Sequence, residues 1–310
     1  MVLAICVLAS PRTPRRGLWA AAAAGLNVLW ACSSSPSLSV VAVDGPLCDL
    51  SRQLAPADLR VTCLLNPEDD PHQLQLKPDQ QRHLSQASLT LTNGFGLTPA
   101  LEKHPQAIRV AEQAFPHHSG DPHLWHDPRQ AAAMAAVVSR ELQRLSPSHA
   151  RAIQQREQAM ASSLLALDAW NQRQFATLPP GTALATSHNG FRSLSKAYGL
   201  TAIALIDDHS SSEHLHPQDL RQTLRQLDGH TVKRLFSEQQ PASRALQRLS
   251  QLSRIPLAEE PLMADAATSD LMASLSNNTC LIVESLGGQC DRPGQRELMA
   301  RWHAIPVAKS

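Results

Sequence analysis

Short apolar runs alternate along the chain with longer stretches that have helical character. The runs predicted to be strands are 38–43, 59–65, 89–91, 182–186, 202–206, 232–236 and 255–257. Helical stretches are predicted between them, beginning for example near Pro78, Pro128 and Pro217. Strands that alternate with helices are typical of parallel βα layers. The pattern therefore predicts an α/β protein with two such layers.

One predicted helix, over residues 148–176, is unusually long and has no internal glycine or proline. At about 1.5 Å per residue it would span about 40 Å, which is enough to connect two lobes. We therefore expect two βα lobes, each a parallel-rich sheet with flanking helices, joined by one long rigid helix. The expected segments are an N-terminal lobe at 32–147, the connecting helix at 148–176 and a C-terminal lobe at 177–310.

Residues 1–31 are predicted to be an export signal. Arg12, Arg15 and Arg16 precede an apolar run that ends at Ala31, and this run is shorter than the about 20 residues of a membrane span. The sequence around Cys32 is similar to a bacterial lipobox, so Cys32 is a candidate lipidation site. Plain cleavage by signal peptidase and twin-arginine export are the alternatives. The mature protein is expected in the periplasm or on the outer face of the cytoplasmic membrane, with or without a lipid anchor.

The cysteines and the charge narrow the class of protein further. A formal charge of +1 gives no indication of nucleic-acid binding. Without Cys6 and Cys32, four cysteines remain in an oxidising compartment, which permits three pairings. Short loops favour the disulfides Cys48-Cys63 and Cys280-Cys290, and buried free thiols are the alternative. No CxxC spacing is present, which argues against a cysteine zinc site.

Three of the 14 histidines lie in contexts that suit a metal ligand. His72 and His123 each follow an Asp-Pro pair, and the proline stiffens the turn. His188 lies where a predicted strand passes into a helix, at the edge of the sheet where α/β proteins bind ligands. Zinc takes four ligands, and a carboxylate can complete three neutral imidazoles. The candidate carboxylates follow the last predicted strand closely and are Glu259, Glu260 and, a little later, Asp265.

In order and spacing, these motifs resemble the zinc- and manganese-binding periplasmic solute-binding proteins of ABC importers (cluster A-I), especially the high-affinity zinc-uptake branch. The resemblance extends from about Val40 to Asp265. The segments that carry it are Asp70-Pro71-His72, Asn93-Gly94, Gly120-Asp121-Pro122-His123-Leu124-Trp125 with Asp127-Pro128, Ser187-His188-Asn189-Gly190-Phe191 with Tyr198-Gly199-Leu200, and Phe236-Ser237-Glu238.

The resemblance implies an extracytoplasmic protein, not an enzyme, that captures one divalent metal ion between two lobes. The expected ligands are His72, His123, His188 and a carboxylate. By the family pattern that carboxylate is Glu260, which precedes Pro-Leu, with Asp265 or water as the substitute. Zinc is expected, because His188 stands where manganese-selective relatives tend to offer a carboxylate; manganese is the alternative. The expected partners are an ABC permease and its ATPase subunit, and a monomer is expected.

Other polar residues near these motifs have expected roles. Glu238 is expected to hydrogen-bond to a ligand imidazole and so to fix its tautomer. His126 either supports a ligand or lies on the surface. In zinc-uptake relatives a long His-rich loop precedes the second Asp-Pro-His turn, and here only His117 and His118 occupy that place, so any auxiliary site would be small. The cluster of His209, His214 and His216 is interpreted as a solvated loop.

The sequence also bears on two other classes of protein. A surface adhesin that contains a metal is left open by the sequence. A secreted metallohydrolase is disfavoured, because a hydrolytic zinc needs an open position for water and a placed general base, and no His-Glu-x-x-His motif is present.

Overall fold

Two parallel β-sheets form the framework of the protein. In this computed structural model, residues 38–306 are described except for 67–68, 119, 207–216 and 266–269. The first sheet has the order β2-β1-β3-β4, and the second has the order β6-β5-β7. Their strands are β1 (Ser39–Ala42), β2 (Arg60–Cys63), β3 (Leu89–Thr92), β4 (Ala107–Arg109), β5 (Ala183–Thr186), β6 (Thr201–Ala204) and β7 (Leu235–Phe236).

The register of both sheets is parallel throughout, as the alternation of strands and helices predicts. Val40 of β1 lies between Val61 of β2 and Leu89 of β3. In the second sheet, Leu257 adds a single parallel bridge beside Leu235. The short strand β4 was not expected, since only three residues pair there. The predicted fold class is confirmed by both the sheets and the structural comparisons given below.

Helices flank both sheets. They are α1 (Gly45–Leu54), α2 (Pro78–Gln86), α3 (Val110–Ala114), α4 (Pro128–Leu145), α5 (Ala150–Phe175), α6 (Arg192–Tyr198), α7 (Pro217–Asp228), α8 (Arg244–Ser253), α9 (Leu271–Ser285) and α10 (Arg292–His303). Local signals set several of the starts. Asp127 caps α4 by accepting the amide hydrogen of Arg129, and Pro128 occupies a first-turn position that needs no amide hydrogen.

Helix α5 connects the two lobes, as its length predicts. It contains 26 residues, which corresponds to about 39 Å. Ile153, Met160 and Leu167 pack in the core that surrounds the first sheet. Phe175 at its end packs in the second lobe, against residues such as Leu184. The helix therefore contributes to two cores and stiffens the connection between them.

The last two helices return to the first lobe. Leu271, Met272 and Trp302 are buried in the core of the first sheet, whereas Val283 near the end of α9 packs in the second lobe. Pro293 and Gly294 lie in the first turn of α10, which is capped by Asp291. The division of the chain at 177–310 remains a prediction, and α9 and α10 contribute to cores on both sides of it.

Two disulfides connect cysteines that are close in the sequence. Cys48 in α1 pairs with Cys63 at the end of β2, with a Cα–Cα distance of 5.4 Å. Cys280 in α9 pairs with Cys290 before α10, with a Cα–Cα distance of 5.2 Å. Both distances are normal for disulfides. In the part of the chain that the structure describes, no helix has the length and apolar character of a membrane span.

Candidate metal centre

Three imidazoles and one carboxylate come together from four separate parts of the chain. The group consists of His72, His123, His188 and Asp265, and one ligand atom of each lies within 4.8 Å of the others. The Nε2 atoms of His72 and His123 are 3.3 Å apart, and those of His123 and His188 are 3.4 Å apart. The oxygens of Asp265 lie 3.1 Å from His123 Nε2 and 2.9 Å from His188 Nε2. His72 Nε2 lies 3.7 Å from the same carboxylate.

The two Asp-Pro-His turns have the same local construction. The side chain of Asp70 accepts the amide hydrogen of His72 at 2.9 Å, and Asp121 accepts that of His123 at 3.0 Å. Each aspartate thereby closes a turn over the intervening proline, which fixes the backbone that carries the imidazole. This repeated turn explains why both histidines could be selected from the sequence.

The four side chains differ in exposure. The side chain of His123 is 2% exposed, whereas those of His72, His188 and Asp265 are 20%, 18% and 13% exposed. His123 therefore forms the floor of the group. An ion would approach from the side of His72 and His188.

The expectation that Glu260 completes the group does not agree with the geometry. Glu260 is exposed and lies outside the group, whose carboxylate is Asp265. After Leu257 the chain continues along β7, because the amide of Leu262 donates to Ser237 at 2.8 Å. Met263 is then held on both sides by Asn278, at 2.8 and 2.7 Å. These contacts fix the path of the segment so that Glu260 stays outside the group and Asp265 lies beside the imidazoles. Asp265 is the alternative fourth ligand named in the sequence analysis.

Carboxylates behind two of the imidazoles determine which ring nitrogen faces the group. Glu238, at the end of β7, contacts His188 Nδ1 and accepts the amide hydrogen of the same residue at 3.3 Å. Asp121 accepts from His123 Nδ1 at 3.1 Å. A hydrogen on Nδ1 leaves the lone pair of Nε2 directed into the group, as in metal-binding histidines generally. Glu238 thus contacts a ligand candidate, and its role in fixing the tautomer stays a prediction.

Asp121 contacts His123 from behind, and no role for it was predicted from the sequence. Its Oδ1 serves both the backbone and the ring of His123, and its Oδ2 accepts from Ser193 of α6 at 2.9 Å. Its position two residues before the histidine could have indicated the first contact. The bond to Ser193 could not be foreseen, because it depends on how α6 packs.

The charges inside the group reinforce each other. Burial by itself would lower the pKa of His123, but the Asp265 and Asp121 carboxylates outweigh it and raise the pKa to about 9. Burial also opposes the charged form of His188, and Glu238 together with Asp265 raises its pKa well above the ordinary value. Burial would raise the pKa of Asp265, but the neighbouring histidines, His123 first, hold it well below the usual range. The group thus holds protons on imidazoles beside an ionised carboxylate, and a cation can replace those protons.

His126 does not take either role expected for it. Its residue is 1% exposed, so it does not lie on the surface. Its ring packs 4.4 Å from Phe191 and 5.3 Å from Trp125, measured between centroids. Among the described residues, neither of its ring nitrogens has a hydrogen-bond partner. Burial, followed by the charge of His123, lowers its pKa to about 3, so the ring is neutral and packs as a core side chain.

The other candidate residues named from the sequence, where the structure describes them, do not join the group of His72, His123, His188 and Asp265. His117 and His118 line a cavity that also includes Asp121. The sites named at His209, His214, His216 and Cys32 lie outside the described residues.

Two parallel βα layers whose loops jointly present three imidazoles and a carboxylate define a two-lobed binding protein with a donor set suited to a metal ion. The family described as zinc-uptake complex component A, periplasmic (ZnuA), matches residues 40–284. The chain belongs to this family, which confirms the resemblance seen in the sequence. Its members are extracytoplasmic substrate-binding components of ABC metal importers and not enzymes, so the metallohydrolase alternative is wrong.

Relatives of the chain carry names that refer to different metals. The manganese-binding lipoprotein MntA of Bacillus subtilis is 23% identical over 75% of this chain and 83% of its own length. The structure of Fe(III)-bound YtgA from Chlamydia trachomatis has a TM-score of 0.75 at 22% identity, and covers 82% of this chain and 99% of that one. The periplasmic zinc-binding protein TroA from Treponema pallidum has a TM-score of 0.72 at 23% identity, with 81% and 99% covered. These structures share the fold of this chain.

Proposed function

We propose that this protein captures one divalent metal ion outside the cytoplasm, with zinc favoured, and delivers it to an ABC importer. The observation that carries the proposal is the convergence of His72, His123, His188 and Asp265 from both lobes. Three neutral nitrogen donors and one carboxylate are a donor set that zinc accepts in proteins. In this proposal the four residues are the ligands, and Glu238 and Asp121 orient His188 and His123.

The spacing of the donor atoms supports a four-coordinate ion. Zinc–nitrogen bonds of about 2.0–2.1 Å in a tetrahedron place neighbouring donors about 3.3–3.4 Å apart. The two nitrogen–nitrogen distances are 3.3 and 3.4 Å. The nitrogen–oxygen distances to Asp265 are 2.9, 3.1 and 3.7 Å, on either side of that value. The cluster therefore needs little rearrangement to accept zinc.

Manganese is the second candidate, and the carboxylate is the observation that favours it. Asp265 directs Oδ1 toward His123 and Oδ2 toward His188 and His72. A carboxylate that presents both oxygens can bind in a bidentate manner, which raises the coordination number and the oxygen content of the site. Harder ions such as manganese prefer oxygen-rich sites. The name of MntA adds a relative that binds manganese.

The proposal includes a location and partners. Residues 1–31 would direct export, and acylation of Cys32 would anchor the mature protein to the membrane, as the lipoprotein name of the relative MntA suggests for that protein. The ion would be released to a permease driven by an ATPase subunit, and the protein would act as a monomer. Mass spectrometry of the mature protein, compared with a Cys32→Ser variant, tests the acylation.

A metal titration of the leader-free protein tests the binding function. The metal-free protein is titrated with zinc and with manganese in competition with a chelator of known affinity. We expect one tightly bound zinc per chain. Because His188→Ala removes a ligand, it should weaken zinc by more than the about 10–100-fold that loss of an outer hydrogen-bonding partner costs.

The matched control is His83→Ala, since His83 is an exposed histidine of α2 outside the group. This variant should bind zinc like the wild type. Equal zinc affinity in the wild type and in His188→Ala would refute the site, and tighter binding of manganese than zinc would replace zinc as the cargo.

A further inference from the structure

A cavity of about 450 Å³ has Asp121, the residue that orients His123, in its wall. The other wall residues are His117, His118, Gln130, Arg192, Ser193 and Lys196. Three of these residues precede α4 or lie in it, and three lie in α6. The cavity therefore lies between the segment that carries His123 and the helix that follows His188. Its volume is within the range of about 300–1,000 Å³ that is usual for small-molecule pockets.

The wall is positively charged. Arg192 and Lys196 are four residues apart in α6 and so lie on one face of the helix. In the described ranges of the chain, neither has a carboxylate within the 4.0 Å of an ion pair. The acid of the wall, Asp121, has both oxygens engaged, one with His123 and the other with Ser193. Two unpaired cations beside an occupied carboxylate attract an anion and repel a second metal ion.

Gln130 adds a specific polar contact. Its amide oxygen is buried, and no hydrogen-bond donor reaches it within the described part of the chain. A buried acceptor without a donor has a cost in free energy that a ligand can remove. An anion that also carries a hydroxyl would supply such a donor beside the two cations.

We propose that this cavity, which we name the anion pocket, binds a small oxyanion that carries a hydroxyl, of the hydrogen phosphate or hydroxycarboxylate class. Arg192 and Lys196 neutralise its charge, and Gln130 accepts its hydroxyl hydrogen. Because Ser193 and Asp121 link the wall to His123, the bound anion holds both segments of the metal site in place. It therefore slows the release of a bound metal ion. The anion binds whether or not the metal function is correct.

Isothermal titration of metal-free, leader-free protein with sodium phosphate, and separately with sodium citrate, at constant ionic strength tests the pocket. We expect saturable binding of one anion per chain, and the arm with the higher affinity identifies the class. The double variant Arg192→Gln/Lys196→Gln should weaken binding at least tenfold. The matched control is Arg221→Gln/Arg225→Gln, which removes the same charge at the same spacing from exposed positions of α7. It should bind the anion like the wild type.

Several outcomes would overturn the proposal. These are the absence of saturable binding in both arms, an equal loss of binding in the control pair, or a second bound zinc that disappears in His117→Ala/His118→Ala. Thermal unfolding of each variant shows that it is folded. The coupling is tested by the rate at which zinc passes to an excess of chelator. Phosphate at a low, fixed concentration should lower this rate in the wild type and leave it unchanged in Arg192→Gln/Lys196→Gln. An equal rate with and without anion would contradict the coupling.

Discussion

Asp44 is a buried carboxyl group whose ionisation should destabilise the metal-free protein. It caps α1 by accepting the amide hydrogen of Leu47 at 3.1 Å, and it is 1% exposed. Within the described residues, its second oxygen has no hydrogen-bond partner. Burial, assisted by the charge of Asp265, raises its pKa from 3.8 to about 7. The folded protein therefore resists the ionisation that the unfolded chain undergoes freely.

The sign and size of the effect follow from this raised pKa. The stability that the protonated Asp44 carboxyl contributes is complete below about pH 4 and is lost as the pH rises through about 7. The reason is that the unfolded chain releases the Asp44 proton at a lower pH than the folded protein does. A shift of about three pKa units at about 1.4 kcal/mol each gives a ceiling of about 4 kcal/mol. In Asp44→Asn the penalty disappears and the cap is retained, since asparagine caps helices equally well. An unpaired amide group takes back about 1–2 kcal/mol, which leaves a gain of about 2 kcal/mol at pH 8.

Urea unfolding of metal-free wild type and Asp44→Asn between pH 4 and pH 8 measures this gain. We expect the variant to be more stable at pH 8 and the difference to shrink toward pH 4. A gain of the same size at every pH, or a loss at pH 8, would refute the reasoning.

Asp49→Asn is the matched control for this variant. Asp49 is also buried, and burial raises its pKa to about 6, but its oxygens accept from Leu271 at 2.7 Å and from Gln53 at 3.2 Å. An amide in its place keeps a single acceptor oxygen, which can serve Leu271 or Gln53 but not both, so the gain in stability at pH 8 should be smaller than that of Asp44→Asn.

Three further predictions concern the metal group. Asp265→Asn should weaken zinc strongly in a competition titration, whereas Glu260→Gln should leave it unchanged; the reverse order would restore Glu260 as the ligand. Glu238→Gln removes the charge behind His188 and should weaken zinc by about 10–100-fold; an affinity equal to the wild type would remove its orienting role. Because carboxylates raise the pKa of His123 to about 9, its stabilising effect is complete below its ordinary pKa near 6.5 and is lost as the pH rises through about 9. The melting temperature of the metal-free protein should therefore fall between pH 6.5 and 9, while the zinc affinity should rise. Thermal melts and titration calorimetry at each pH measure these two changes. A zinc affinity that does not depend on pH would contradict the idea that zinc and protons compete for the imidazoles.

Much of the fold follows from local sequence. The apolar runs correspond to all strands except β4, and α5 coincides with the predicted long helix to within two residues at its start and one at its end. Those elements are determined by the periodicity of apolar residues and by helix breakers such as Pro179-Pro180. Both signals act over a few residues. In the last part of the chain, Gly287 and Pro293-Gly294 are helix breakers by local sequence and do not by themselves predict α9 and α10. In the structure Gly287 follows the end of α9 and Pro293-Gly294 lies in the first turn of α10, and both helices pack against α5.

The candidate site divides in the same way. The sequence by itself selected His72, His123 and His188, because a turn closed by its own aspartate and the end of a strand are short-range features. The tertiary structure decided that Asp265 and not Glu260 joins them, since the path of that segment is fixed by hydrogen bonds to Ser237 and Asn278. It also decided that His126 is buried. Burial, and the electrostatics that follow from it, are sums over neighbours from distant parts of the chain, and no local pattern contains them.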